Sequence, residues 1–153
     1  MARFEVGKLF ASYSTLDQDI KLFEREQFIQ LYKKESRTIA AAQKRCPNKS
    51  FNEDIKYSEI AFACVHNGKY KSKATSGERP NQKTGKIGCE FVIKFRATAD
   101  GQHLMCSCLK DTHSHEVSEM AFKFHPKQRK LSEDTQAEIA NLCKLQANKK
   151  LMQ

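Results

Sequence analysis

The sequence predicts an α+β domain in which a small antiparallel sheet of about four strands is preceded by one helix and followed by another. Apolar residues recur at helical spacing near both ends of the chain and alternate with polar residues in the middle. A turn sequence, Ala99-Asp100-Gly101, separates two alternating segments and predicts an antiparallel hairpin. The 153 residues suffice for one such domain, which we expect to span residues 1–130, with the terminal helix in residues 131–153.

The N-terminal helix is predicted to begin at Ser14, which forms a capping-box pattern with Asp17, and to end near Glu26. Aromatic and β-branched residues over 27–33 then predict the first strand. Residues 36–45 fit either a helix or a continuation of an extended hairpin.

Three further strands are predicted over residues 57–66, 89–97 and 103–110 from their alternating patterns. Between the first two of these lies a long polar segment, residues 69–86, and loops of this length in compact domains are usually functional or disordered. A final helix is predicted to begin after Ser132, because Glu133 and Asp134 would then occupy its first turn, where the helix dipole favours anions.

Positive charge is concentrated in the middle of the chain. The chain has 27 basic and 18 acidic side chains, a net charge of +9. Residues 33–96 alone contain fifteen basic and six acidic groups, which accounts for the whole excess. A localised basic region is typical of proteins that bind polyanions, and a solvated lysine-rich surface is the alternative interpretation.

The composition argues against several classes of protein. No apolar run approaches the roughly 18–20 residues needed to span a bilayer, so we expect no membrane partner. The first residues lack the apolar stretch of a secretory signal. We therefore expect the six cysteines to lie in a reducing compartment, which favours metal binding over disulfides.

Cysteine and histidine residues in the second half of the chain suggest a metal site. Four of them have the spacing C-x24-C-x23-H-x-H: Cys64, Cys89, His113 and His115. Closed Cys2His2 sites are typical of structural zinc. On an extended chain, residues two apart point to the same side, so both imidazoles can face one ion.

The spacing also fits two other interpretations: a different set of ligands, or no metal site. Cys106 and Cys108 precede the same histidine pair, and on a regular strand they would share one face. Buried cysteines are also common simply as small apolar residues. Spacing alone therefore leaves both ligand sets, and four unrelated residues, open.

The order of these motifs resembles the WRKY–GCM zinc-finger superfamily over about residues 10–130. The resemblance rests on Gly88-Cys89 opening a strand, the Asp100-Gly101 turn, and the closing sequence His113-Ser114-His115-Glu116. It is similar to the N-terminal domains of far-red-impaired-response and Mutator-like transposase proteins. The layout is most similar to the N-terminal domain of SWIM-type zinc-finger proteins, type three.

The resemblance implies which residues bind the metal. It selects Cys64 and Cys89, together with the two histidines, as ligands of one Zn²⁺, and leaves Cys106 and Cys108 as strand residues. The chain departs from the pattern at Ser114, where asparagine is usual. The WRKYGQK recognition heptapeptide is also absent, so base contacts cannot be transferred.

The resemblance further implies a nuclear protein, transposase-derived or transcription-regulatory, that reads duplex DNA sequence-specifically with a β-strand in the major groove. The corresponding strand is residues 30–37, with three basic side chains outward. Lysines of the long polar segment would hold backbone phosphates. The candidate DNA contacts are Lys33, Lys34, Arg37, Lys44, Arg45, Lys69, Lys71, Lys73, Arg79, Lys83 and Lys86.

Two other functions compete with DNA binding. An enzyme is not expected, because two cysteines and two histidines complete the zinc coordination and leave no open position for catalysis. A zinc-stapled protein-interaction module is the alternative function. In that case the terminal helix, over residues 132–150, could form a homodimer or bind a further domain.

Overall fold

The computed structural model describes residues 3–69 and 85–144 and confirms the α+β class. Its described strands form one antiparallel sheet in the order β1-β5-β4-β3-β2. The elements are β1 (Leu9–Phe10), α1 (Tyr13–Glu26), β2 (Leu31–Thr38), α2 (Ile39–Gln43), a 3₁₀ turn (Glu53–Ile55), β3 (Tyr57–Cys64), β4 (Val92–Ala97), β5 (Leu104–Lys110), α3 (Glu119–Lys123) and α4 (Glu133–Lys144). The sheet has one strand more than predicted, because β1 is too short to show an alternating pattern.

α1 packs its apolar side on one face of the sheet. Leu16 and Ile20 of this helix are buried in a core that is rich in phenylalanine. Within it, the Phe95 ring lies 5.8 Å from the Phe4 ring and 5.6 Å from the Phe10 ring, both edge-on. We call this the covered face of the sheet.

The N-cap of α1 lies two residues earlier than predicted, and the helix ends at Glu26 as predicted. The N-cap is Ser12, whose Oγ accepts a hydrogen bond from the Thr15 amide at 3.2 Å. Ser12 has extended backbone angles, which a capping residue needs, whereas Ser14 already lies inside the helix. The predicted cap at Ser14 was therefore wrong.

β2 begins at Leu31, not at residue 27. Phe28 has a positive φ of 52°, so the chain turns sharply after α1 before it can enter the sheet. The strand continues to Thr38 with a bulge at Lys34, between the pairs formed by Lys33 and Glu35 with β3. The predicted strand over 27–33 was thus misplaced, while residues 30–37, taken from the resemblance, agree with β2.

A second bulge separates the two cysteines of β5. Lys94 pairs with Cys108 and Phe95 pairs with Cys106, which leaves Ser107 as the extra residue. Cys106 is consequently buried on the covered face, and Cys108 lies half-buried on the opposite face. The prediction that both share one strand face was wrong.

The C-terminal helix has its predicted cap. Ser132 Oγ accepts a hydrogen bond from the Thr135 amide at 3.2 Å, and α4 runs to Lys144, with the predicted continuation to 150 outside the described residues. Neither α3 nor α4 buries a side chain.

Within residues 3–69 and 85–144, no helix combines the length and apolarity that a membrane span requires.

Candidate metal centre

Three separate segments bring the four predicted ligands together at one end of the sheet. Cys64 is the last residue of β3, Cys89 lies just before β4, and the two histidines follow β5. The donor atoms of Cys64, Cys89, His113 and His115 all lie within 4.8 Å of one another.

The distances between donor atoms fit a tetrahedral zinc ion. Cys64 Sγ lies 3.2 Å from His115 Nε2, Cys89 Sγ lies 3.4 Å from His113 Nδ1, and the two imidazole nitrogens are 3.2 Å apart. With Zn–S bonds of about 2.3 Å and Zn–N bonds of about 2.0–2.1 Å, tetrahedral donors lie about 3.3–3.8 Å apart. These three separations are within a few tenths of an ångström of this range.

The two histidines present different nitrogens to the cluster. His115 Nδ1 donates a hydrogen bond to the Glu116 carbonyl at 2.9 Å, which leaves the Nε2 lone pair for the metal. The His113 ring stacks on the Phe91 ring, with centroids 4.4 Å apart and planes inclined by 14°, and presents Nδ1. Burial lowers the pKa of His113, as do the neighbouring His115 and His66, which favours the neutral imidazole that binds metal.

Both cysteines are buried, with 1% of their surface exposed. Burial raises the pKa of the Cys64 thiol to about 12, although the backbone N–H of His66 points at the sulfur and opposes the shift. A thiolate at this position needs a cation beside it, and a coordinated metal ion supplies that charge and removes the proton. The chemistry of the donor set therefore fits zinc.

Backbone hydrogen bonds join the two described ends of the long polar segment beside the cluster. The amides of Ile87 and Cys89 both donate to the His66 carbonyl at 3.1 Å, and the Gly88 amide donates to the Gly68 carbonyl at 2.9 Å. The segment thus begins five residues after Cys64 and ends three residues before Cys89.

The candidate DNA contacts of β2 lie in different environments. Lys33 points to the covered face, where its ammonium lies 4.9 Å from the Tyr13 ring centroid and 5.5 Å from that of Tyr57. Lys34 is exposed at the bulge. Arg37 forms an ion pair of 3.0 Å with Glu59.

The remaining candidates divide into exposed residues and residues that the structure does not describe. Lys44 and Arg45 are exposed just after α2, and Lys69 and Lys86 are exposed at the ends of the long polar segment. Lys71, Lys73, Arg79 and Lys83 lie outside the described residues.

Two lysines near the cluster were missed by the sequence reasoning. Lys94 and Lys110 are exposed on the face of the sheet opposite the core. The signal was available, since Lys94 alternates with the apolar Ile93 and Phe95 within a strand.

A Cys2His2 cluster that joins strand ends of an antiparallel sheet places this chain among the zinc-finger modules. The family model described as "Zinc finger SWIM domain-containing protein 3, N-terminal" matches residues 4–115. This match spans more than half of the chain, so the chain belongs to that family, and the predicted similarity to SWIM-type zinc-finger proteins is confirmed. All four cluster residues lie within the matched region. Neither the curated proteins nor the solved structures gave a match.

Proposed function

We propose that this chain is a zinc-stabilised module that binds duplex DNA sequence-specifically, within a nuclear protein of transposase-derived or transcription-regulatory type. The observation that carries the proposal is the cluster of four donors lying where a strongly basic segment begins and ends. The family supports the zinc-finger part, and the concentration of charge in residues 33–96 supports a polyanion as partner.

Zinc acts here as a clamp on the fold. Each cysteine comes from a different strand end, and the histidines come from a third segment, so one ion ties together parts far apart in sequence. Apparent zinc-binding free energies of about 10–16 kcal/mol in small zinc fingers are comparable to or larger than the whole stability of a typical domain. With four protein ligands bound, the ion would have no open coordination position, so the role we propose for it is structural and not catalytic.

β2 is the strand that would read the major groove. It forms one edge of the sheet, and an edge strand is free to approach DNA without breaking pairs inside the sheet. Lys34, Arg37, Lys44 and Arg45 lie along or just beyond it, and lysine and arginine side chains contact phosphates and guanine edges. We also propose that the chain belongs to the WRKY–GCM superfamily, whose members insert a sheet edge into the major groove, and the edge position of β2 supports this.

Selection from a random duplex library, with the zinc-loaded chain, tests DNA binding and specificity together. We expect an enriched sequence whose affinity falls with salt, with a log–log slope of about −5 if six phosphates are neutralised. A scrambled duplex of the same composition is the control. Failure to retain any duplex, or an affinity that does not change with salt, would contradict the proposal.

A protein-interaction module is the second candidate, and the C-terminal segment favours it. Met120 and Phe124 expose 71% and 68% of their surfaces, and α4 buries no side chain in the described chain. In this function α4 forms a homodimer or binds a further domain. Sedimentation would then show a dimer that Ile139→Glu disrupts, and gel shifts would be weak and independent of sequence.

A further inference from the structure

The face of the sheet opposite α1 carries short side chains at its centre. Strand register aligns Ala61 and Ala63 of β3 with Lys94 and Val92 of β4, on the face opposite the core. The two alanines and Val92 are short, and each exposes less than 9% of its surface. Longer side chains at the neighbouring positions therefore surround a shallow depression. We call this the open face.

Positive charge gathers on the open face at the end nearest the metal cluster. A shallow concavity of about 440 Å³ lies there, and its lining includes Cys89, Val92 and Cys108. Its charged lining consists of four lysines and one glutamate, a net charge of +3: Lys34, Lys69, Lys94, Lys110 and Glu90. We call these four lysines and their surroundings the lysine groove.

The other end of the open face is electrostatically different. A neighbouring concavity of about 310 Å³ is lined by Arg37, Glu59 and Arg96 among others. Glu59 lies 3.0 Å from Arg37 and 3.1 Å from Arg96, so one carboxylate bridges two guanidinium groups. Among the described residues, none of the four groove lysines forms an ion pair with an acidic side chain. On the open face, the positive charge that no described acidic side chain pairs is therefore that of the lysine groove, beside the metal centre.

We propose that the lysine groove binds the phosphate backbone of duplex DNA. The inference rests on the proposed function and specifies a surface for it, formed by strands β4 and β5 as well as by the bulge of β2. Lysine ammonium groups are compact, mobile charges suited to phosphates. Lys94 and Lys110 are diagonal neighbours across β4 and β5, which places their Cα atoms about 7–8 Å apart and allows each to approach its own phosphate.

Charge-removing substitutions in the centre of the groove test the proposal. The double variant Lys94→Gln/Lys110→Gln should lower duplex affinity about uniformly across sequences and reduce the salt slope by about 2, since each phosphate contact contributes about 0.9. The matched control, Lys130→Gln/Lys144→Gln, removes the same charge from exposed positions outside the groove and should leave the slope unchanged. Circular dichroism and zinc content confirm that both variants fold.

Alkylation of cysteines locates the DNA on the wild-type chain. Cys108 lies half-buried in the groove, while Cys46 and Cys143 are exposed elsewhere. We expect a bound duplex to slow alkylation of Cys108 and leave Cys143 unchanged.

The outcomes separate this inference from the proposed function. A duplex that binds with an unchanged slope in the groove variant, or protects Cys46 instead of Cys108, overturns the groove but leaves DNA binding intact. A wild-type chain that binds no duplex overturns the proposed function and the groove with it. A reduced slope together with protection of Cys108 supports both.

Discussion

The two ends of the sheet are closed by different means. At one end, four side chains from three segments converge on a single point, which fits one metal ion. At the other end, the turn between β4 and β5 is held by hydrogen bonds from a preceding loop, in which the Asn52 amide donates to the Gly101 carbonyl at 3.0 Å and Lys49 Nζ donates to the Thr98 carbonyl at 3.2 Å. We therefore expect the first end to depend on a bound ion and the second to depend on close packing of the backbone.

Removing a metal ligand should have the largest effect. We expect Cys89→Ser to abolish stoichiometric zinc binding and to unfold the chain at ambient temperature, because zinc binding of about 10–16 kcal/mol is comparable to or larger than a typical domain stability. Native mass spectrometry reports one zinc per wild-type chain, and circular dichroism reports the fold. Cys108→Ser, on the same sheet but outside the cluster, is the matched control. A fold that survives both Cys89→Ser and a strong chelator would show that the first end needs no ion.

Substitution of Gly101 should destabilise the opposite end of the sheet through a steric clash. Gly101 has a φ of +74°, and a Cβ added to it would lie 2.2 Å from the Ser50 carbonyl oxygen. We expect Gly101→Ala to destabilise the domain by roughly 2–4 kcal/mol in urea unfolding while zinc stoichiometry stays at one.

Gly7→Ala separates backbone strain from the close contact at Gly101. Gly7 also has a positive φ, of +95°, but a Cβ there meets no atom within 4 Å. The Gly7→Ala variant should lose only about 1 kcal/mol of unfolding free energy, which is the cost of an alanine in the left-handed region. Equal losses of stability in both variants would mean that the loop containing Ser50 shifts at little cost to accept the added methyl group.

The comparison of the two ends also explains what the sequence could and could not predict. The cluster residues Cys64, Cys89, His113 and His115 were identified because metal ligands must be specific residue types, and the resemblance chose between two possible cysteine pairs. The close approach of Gly101 to Ser50 could not be predicted from residue type, because any loop residue could supply the carbonyl oxygen.

Errors in the predicted elements came from local backbone geometry. Ser12 and Ser14 are equally good caps by residue type, and only the extended backbone at Ser12 decides between them. Strand alternation placed Cys106 and Cys108 on one face, but the bulge at Ser107 reverses the register between them. A pattern with period two cannot reveal where one strand carries an extra residue.

Substitution of Glu24 should have an intermediate effect on the end of the sheet that carries the metal cluster. Glu24 stabilises this end without contacting the four cluster residues. Its buried carboxylate accepts hydrogen bonds from the Leu31 amide at 2.7 Å, from the Gln30 side chain, and from Lys127 Nζ at 3.0 Å. We expect Glu24→Gln to destabilise the domain by about 1–3 kcal/mol, because a charged acceptor is lost and an amide group replaces it. Urea unfolding of the zinc-loaded chain measures the loss.

Lys127→Met is the control for Glu24, since it removes the half-exposed partner and leaves the hydrogen bonds of the carboxylate to Leu31 and Gln30. It should lose no more than about 1 kcal/mol. A larger loss than in Glu24→Gln would mean that the segment after α3, and not the start of β2, is what the carboxylate holds in place.

The smallest expected effect lies in the turn at the other end. Thr98 Oγ1 accepts a hydrogen bond from the His103 amide at 3.1 Å and donates one to the Asp100 carboxylate. In Thr98→Val the side chain keeps its shape but loses both hydrogen bonds, and we expect a loss of about 1 kcal/mol from the His103 contact. Zinc content and the exchange rates of amides near Cys64 should not change, whereas the His103 amide should exchange faster. If amides beside the cluster also exchanged faster, the two ends would not be independent, and the metal would hold the whole sheet and not one end of it.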